Sequence, residues 1–355
     1  MRSVQITHLS EGFDRVQLVD VEPPTPGPGQ VRVKMLLSPV NPSDLNFIRG
    51  DYRQALEHLV WNRGRPHPVF DPEGRLPYPE LPYALGGEGV GVVEACGSGW
   101  LARRLKGRRV AVAGGPPHGT WQDYCVVDAR KALPVPDQLS DEQAAMFIVN
   151  PLSAYVMLTR VLRVKRGGWL LQSAAASSLG KIVIRLAEQL GVNTINLVRS
   201  KESADQLLAM GARHVLVGEG EGLSDQVAEI TGGKGADYAM DAVGGGLAGA
   251  MVQCLGLGGH MVLFGTLANH PITLPSRDLM MPVARLTGFF ALNWLGQQHP
   301  LQMLMILREL KRLQLEGIFE APVERLFALE EVVAALEMAS TKGRQGKVLL
   351  NIGQR

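Results

Sequence analysis

Residues 168–201 constrain this chain more than any other stretch. Trp169-Leu170-Leu171 is a short apolar run after a turn, as a buried parallel strand requires. Small residues fill 173–178, and then Leu179, Ile182, Val183, Leu186, Ala187 and Leu190 recur at helical spacing until Gly191. A second β-branched run, 192–198, completes strand, helix and strand in about the 30 residues such a unit takes. Small residues between strand and helix let a diphosphate approach backbone amides at the positive helix end. Of the usual glycine fingerprint only Gly180 remains, with Ser177 and Ser178 beside it, so the turn also fits plain strand–helix packing. The end of the second strand says more. An NAD-preferring unit puts Asp or Glu there for the ribose 2′-hydroxyl, whereas this chain has Arg199 and Lys201. Those cations suit a 2′-phosphate, or else stand as solvated loop charges. Position favours NADPH as the cofactor.

At 355 residues there is room for two domains with substantial cores. A net charge of +2 gives no footprint for nucleic acid. Three cysteines, Cys96, Cys125 and Cys254, lie far apart and argue against a disulfide framework and a Cys-rich zinc site. The N-terminus lacks a signal-peptide core, and the most apolar window, 286–295, is about half a membrane span, so no membrane partner is expected. A cytoplasmic soluble protein is the expectation.

Residues 1–149 are rich in Gly and Pro, with short β-like runs at 16–21, 30–38, 89–95, 109–113 and 121–127. Strands then alternate with helices: strands at 213–217, 236–243, 259–265 and 284–289, helices at 202–210, 225–231, 247–254 and 301–316. That alternation predicts an α/β fold, a doubly wound parallel sheet, over 150–319. After residue 320 a strand, a helix at 329–340 and a closing strand at 347–352 are expected to rejoin the first, mostly-β domain.

Several motifs resemble the medium-chain dehydrogenase/reductase superfamily. They are Asn41-Pro42-Ser43-Asp44-Leu45-Asn46 with Gly50-Asp51-Tyr52, Gly86-Gly87-Glu88-Gly89-Val90, Val149-Asn150-Pro151 with Ala154-Tyr155, 194–199, and Gly288-Phe289-Phe290 with Trp294. The nearest likeness is to zinc-free NADPH-dependent 2-enoyl thioester reductases of the mitochondrial type, then to quinone oxidoreductases. The resemblance implies a Rossmann domain beside a GroES-like catalytic domain made of 1–149 and 320–355. Zinc members carry a Cys near Asn41–Asp44 and a His near Gly87-Glu88. Here neither is present, so no metal is expected.

The resemblance implies that Tyr52 is the proton donor, though a lone loop tyrosine also serves as amphipathic packing. It implies cofactor contacts at Asn150, where a cleft at the domain junction would lie, at Ser177, Ser178, Leu179 and Gly180, and at Arg199 and Lys201. Further contacts follow at Phe264, Gly265, Thr266 and Leu267, at Phe289, Phe290 and Ala291, and at Lys347. Trp294 would line an acyl pocket or serve as a core indole. The segment between Tyr52 and Leu85 is a pocket wall or a surface loop. The basic run Arg103, Arg104, Lys106, Arg108 and Arg109 is a solvated loop or attracts an anionic thioester carrier. The implied reaction passes a hydride from NADPH to the Cβ of an enoyl thioester on coenzyme A or acyl carrier protein. A quinone or enone reductase is the alternative, and an NADPH-binding protein without turnover a further one. A homodimer through the edges of the cofactor domain near 259–275 is implied as well.

Overall fold

The apolar run at Trp169 forms β1 (Trp169–Gln172), and in the computed structural model a six-stranded parallel sheet grows outward from it. The structure describes residues 1–53, 79–268, 270–341 and 343–353, and the backbone at 61–62 and 69–70. They form two units, Met1–Ile148 with Val323–Arg355, and Val149–Pro322.

In the second unit the other strands are β2 (Asn193–Val198), β3 (His214–Val217), β4 (Ala236–Asp241), β5 (Leu255–Leu263) and β6 (Arg285–Gly288). They lie in the order β3-β2-β1-β4-β5-β6, every pair parallel. The order reverses between β1 and β4, the switch point at which doubly wound sheets open a crevice at their carboxyl ends. Between β1 and β2 runs α1 (Ser178–Leu190), whose Ile182, Val183, Leu186 and Ala187 are buried as their spacing demands. Ser177 caps it by accepting from the Gly180 N–H at 3.0 Å, and Gly191 ends it in the left-handed region at φ 69°. Leu171, Ile195, Leu197, Val227, Met251 and Met261 share a core, each worth about 1.5–3 kcal/mol of burial.

The strand expected over 259–265 starts earlier, at Leu255. Gly256 and Gly259 are bare because neighbouring atoms come close, whereas Gly258 stands in the left-handed region at φ 73°. A Cβ on Gly256 would stand 2.2 Å from the Lys234 carbonyl.

The first unit is built on the long strand Gln30–Pro39. It pairs antiparallel with Glu88–Cys96, with Tyr124–Asp128 and with the chain's closing strand, Lys347–Asn351. The tail therefore returns to this unit, with Val323–Ala328 parallel to the closing strand. Arg2 fastens it by bonding Asp123, Glu330 and the Ile352 carbonyl, at 2.7, 2.5 and 2.7 Å.

Candidate functional site

The motif Asn41–Asp44 opens a helix, Pro42–Arg49, because Pro42 has no N–H to lose at a first turn and the Asp44 carboxylate accepts from the Asn41 N–H at 2.8 Å. Gly50 ends it at φ 82°, and helical backbone resumes at 51–53. Tyr52 is half-buried there, edge-on to Phe47, with ring centroids 5.2 Å apart and planes at 76°.

Beneath this helix lies a buried ionic cluster. The Asn41 amide donates to a Glu88 carboxylate oxygen at 3.1 Å, and the other Glu88 oxygen accepts from the Ile148 N–H at 3.2 Å. The Lys347 ammonium donates to the Asn41 side-chain oxygen. Asp44, Glu88 and Lys347 are all buried. Burial pushes the Asp44 carboxyl up to about 7, against the pull of the Asn41 N–H and the Lys347 charge. Burial lowers the Lys347 pKa, opposed by Glu88 and Asp44. Lys347, expected as a cofactor contact, thus has its ammonium engaged inside the unit. It would have to leave Asn41 to reach a ligand.

These residues do not fit a zinc ion. The donors are one amide and two carboxylates, with neither thiol nor imidazole, and an ammonium sits among them where a dication would be repelled. Among the described residues no group of three or more His, Cys, Asp or Glu is placed to hold a metal. The buried thiols of Cys125 and Cys254 are both pushed up to about 12 by burial, which leaves them inert.

The other expected residues stand in the second unit. Ser177, Ser178 and Leu179 form the partly exposed start of α1, next to the switch point. Ala174 lies in the left-handed region at φ 47°, which a residue with a Cβ adopts only under constraint. A Cβ on Gly180 would meet the Ala175 carbonyl at 2.4 Å, so this glycine lets helix and turn close on each other. A buried polar chain supports the turn from below. Gln172 donates to the Gly180 carbonyl at 3.2 Å and to Asn196 at 2.8 Å, and Asn196 donates to the His214 carbonyl at 2.9 Å.

Arg199 and Lys201 follow β2, both exposed and with no carboxylate partner among the described residues. Ser200 between them caps the next helix, Lys201–Ala209. Asn150 is half-buried in the first turn of the helix Val149–Val156. Phe264 is half-buried and Thr266 and Leu267 are exposed beyond β5. Gly265 owes its place to packing, since a Cβ would stand 2.4 Å from the Ala242 carbonyl. Neither aromatic after β6 is a core residue: Phe289 is half-buried and Phe290 exposed, with Ala291 and a half-buried Trp294 in the short helix that follows. Most of the segment expected as pocket wall or surface loop, with Arg63, Arg65, His67 and Arg75, lies outside the described residues. Arg103, Arg104, Lys106 and Arg108 are exposed, whereas Arg109 bonds Asp141 at 2.7 Å.

Residues 27–137 match the family described as alcohol dehydrogenase GroES-like domain, and 178–307 match the one described as zinc-binding dehydrogenase. Over 340 residues, 94% of this chain and 84% of the relative, the sequence is 31% identical to the mitochondrial enoyl-[acyl-carrier-protein] reductase of Arabidopsis thaliana. The chain belongs to the medium-chain dehydrogenase/reductase superfamily. It is an NAD(P)-dependent oxidoreductase of that superfamily. The Bos taurus mitochondrial enoyl-[acyl-carrier-protein] reductase is 29% identical over 99% of this reductase and 89% of its own length. The Escherichia coli quinone oxidoreductase complexed with NADPH superposes with a TM-score of 0.85 at 25% identity, covering 99% of this reductase and all of that chain (100%). A Pseudomonas syringae quinone oxidoreductase gives 0.83 at 26%, covering 99% of each chain.

Sequence reasoning had Asn41, Asp44 and Glu88 only as family motifs, without the cluster they form with Lys347. It had Ser173 only as one of the small residues of the turn and missed Asp241 altogether, the two being buried at the carboxyl ends of β1 and β4. The available signal was an acidic residue closing an apolar strand just before Gly244-Gly245-Gly246.

Proposed function

We propose that this reductase passes a hydride from NADPH to the Cβ of a 2-enoyl thioester, and that no metal takes part. The observation that carries the cofactor is the pair Arg199 and Lys201, exposed just past β2 with no carboxylate partner among the described residues, where an acidic residue would favour NAD. NADPH is the cofactor, and when bound it supplies the hydride. The amides at the start of α1 would hold its diphosphate, with Arg199 and Lys201 on its 2′-phosphate. Tyr52 would give its phenolic proton to the substrate Cα as a placed general acid. Enoyl reductase relatives of nearly full length support the thioester. The structural likeness to quinone oxidoreductases favours a second reading, a quinone or enone as hydride acceptor.

Arg199→Ala should weaken NADPH binding at least about tenfold and leave NADH nearly unchanged, because a contact to a charged group is worth about 1.5–3 kcal/mol. Titration calorimetry with both cofactors checks it. Equal losses for the two would end the 2′-phosphate assignment.

A homodimer is part of this reading, with its edge corrected. Residues 259–263 belong to β5, an interior strand paired on both sides, so they cannot accept a partner strand. The edge next to them is β6. Exposed Met280, Met281 and Val283 precede it, and Leu257, 86% exposed, is joined to them through the Gly258 N–H to Pro282 carbonyl bond of 2.6 Å. An open edge beside exposed apolar residues is normally covered. Sedimentation at micromolar concentration should give about twice the chain mass of 38.4 kDa. A monomer there would refute the dimer.

A further inference from the structure

The two strands that meet at the switch point are fastened at their carboxyl ends by buried side chains. Ser173, one residue past β1, donates its hydroxyl proton to Asp241 at the end of β4 over 2.5 Å, and its oxygen accepts from the Ala242 N–H at 2.9 Å. The same Asp241 oxygen accepts from the Val243 N–H at 2.9 Å, and the other accepts from the Gly244 N–H at 2.7 Å. One carboxylate therefore fixes the turn 242–244 and ties it to the opposite strand. Gly244 and Gly245, at φ 80° and 59°, carry that turn into the helix Gly245–Gln253.

The loop after β5 rests on this turn. Phe264, Leu267 and Ala268 donate their N–H groups to the carbonyls of Asp241, Ala242 and Val243, at 3.0, 3.2 and 2.8 Å. Gly265 is bare for the same reason, its missing Cβ leaving room for the Ala242 carbonyl. A fully buried carboxylate is a costly way to close a strand, and an apolar side chain of similar volume commonly serves stability as well or better. What the carboxylate adds is a fixed shape for two loops on the β4–β5 side of the crevice.

A dinucleotide-binding sheet consists of two mononucleotide halves. Here α1, Arg199 and Lys201 belong to the first half, so the nicotinamide half falls to the loops after β4 and β5. Resting on the NADPH reading above, we infer that Ser173 and Asp241 are positioning residues for the nicotinamide half of the cofactor, acting through the loops 242–246 and 264–268.

Asp241→Asn and Ser173→Ala test this, with calorimetric titration of NADPH and of adenosine 2′,5′-bisphosphate, which reaches only the first half. In Asp241→Asn the new amide nitrogen must face a backbone N–H, which releases part of the turn. NADPH affinity should fall about tenfold in Asp241→Asn and several-fold in Ser173→Ala. Affinity for the bisphosphate should stay within about twofold in both. Ser173→Ala removes one hydroxyl and no charge, so it carries the comparison alone should Asp241→Asn not fold. Unchanged NADPH affinity in the variants overturns the inference, as do equal losses for the two ligands, which would mean the pair merely holds the unit together. Wild-type protein that binds neither ligand overturns the NADPH reading and this inference with it.

Discussion

Replacing Tyr52 by Phe should lower kcat for an enoyl thioester about a hundredfold or more while leaving NADPH affinity unchanged. The substitution keeps the ring that stands edge-on to Phe47 at 5.2 Å and removes only the hydroxyl. Hydride arrives at Cβ and the charge that develops on the thioester must be quenched by a proton at Cα. General acid catalysis by a placed group is typically worth 10²–10⁴-fold. A quinone takes its protons on oxygen, where water can supply them, so its reduction should suffer much less. Steady-state turnover of crotonyl-CoA and of a quinone, each with NADPH, separates the outcomes. Undiminished thioester turnover would remove Tyr52 from the mechanism, and comparable losses on both substrates would make its role positional.

The cofactor unit was legible because its signals are local. Each buried strand is an apolar run of a few residues, each helix a 3.6-residue stripe, and the cations after β2 sit at a place that topology alone defines. The alternation pointed to a doubly wound parallel sheet, and the order β3-β2-β1-β4-β5-β6 is one of the arrangements that right-handed crossovers allow. Less local features were not legible. β5 was misplaced at its start because Gly256, Gly258 and Gly259 look like a turn, although Gly256 and Gly259 are bare for close packing inside the strand. The dimer edge came from the resemblance alone, since which strand is outermost depends on pairing and not on any one strand's sequence. Asp241 and Ser173 are 68 positions apart, and nothing in either neighbourhood announces the other. Lys347 and Asn41 are 306 apart. A lysine opening an apolar strand reads as a solvated end or a cofactor contact, and only the antiparallel pairing of the closing strand with Gln30–Pro39 brings it beside Asn41 and Glu88.

Lys347→Met should cost about 3–5 kcal/mol of folding stability at pH 8, because removing one partner leaves buried carboxylates uncompensated. The loss should shrink at pH 5. Asp44 already stands near 7 in the folded protein against an ordinary 3.8, raised chiefly by burial and further by Glu88, and lowered by the Asn41 and Gly87 N–H groups and by Lys347. A carboxyl raised in this way binds its proton more tightly folded than unfolded. Its contribution is therefore whole below the unfolded value and is lost as pH rises through about 7. Without the ammonium its pKa rises further, so the penalty for ionising it grows over the same interval and beyond. At pH 5 the variant can keep Asp44 neutral, and much of the deficit disappears. Of the charged groups facing Lys347, Glu88 gains from the ammonium as Asp44 does, whereas Arg344 opposes it. Urea unfolding of both proteins at pH 5 and pH 8 decides the matter. A loss of the same size at the two pH values would mean that Lys347 contributes only its packed stem, and no loss at pH 8 would mean that the carboxylates do not depend on it.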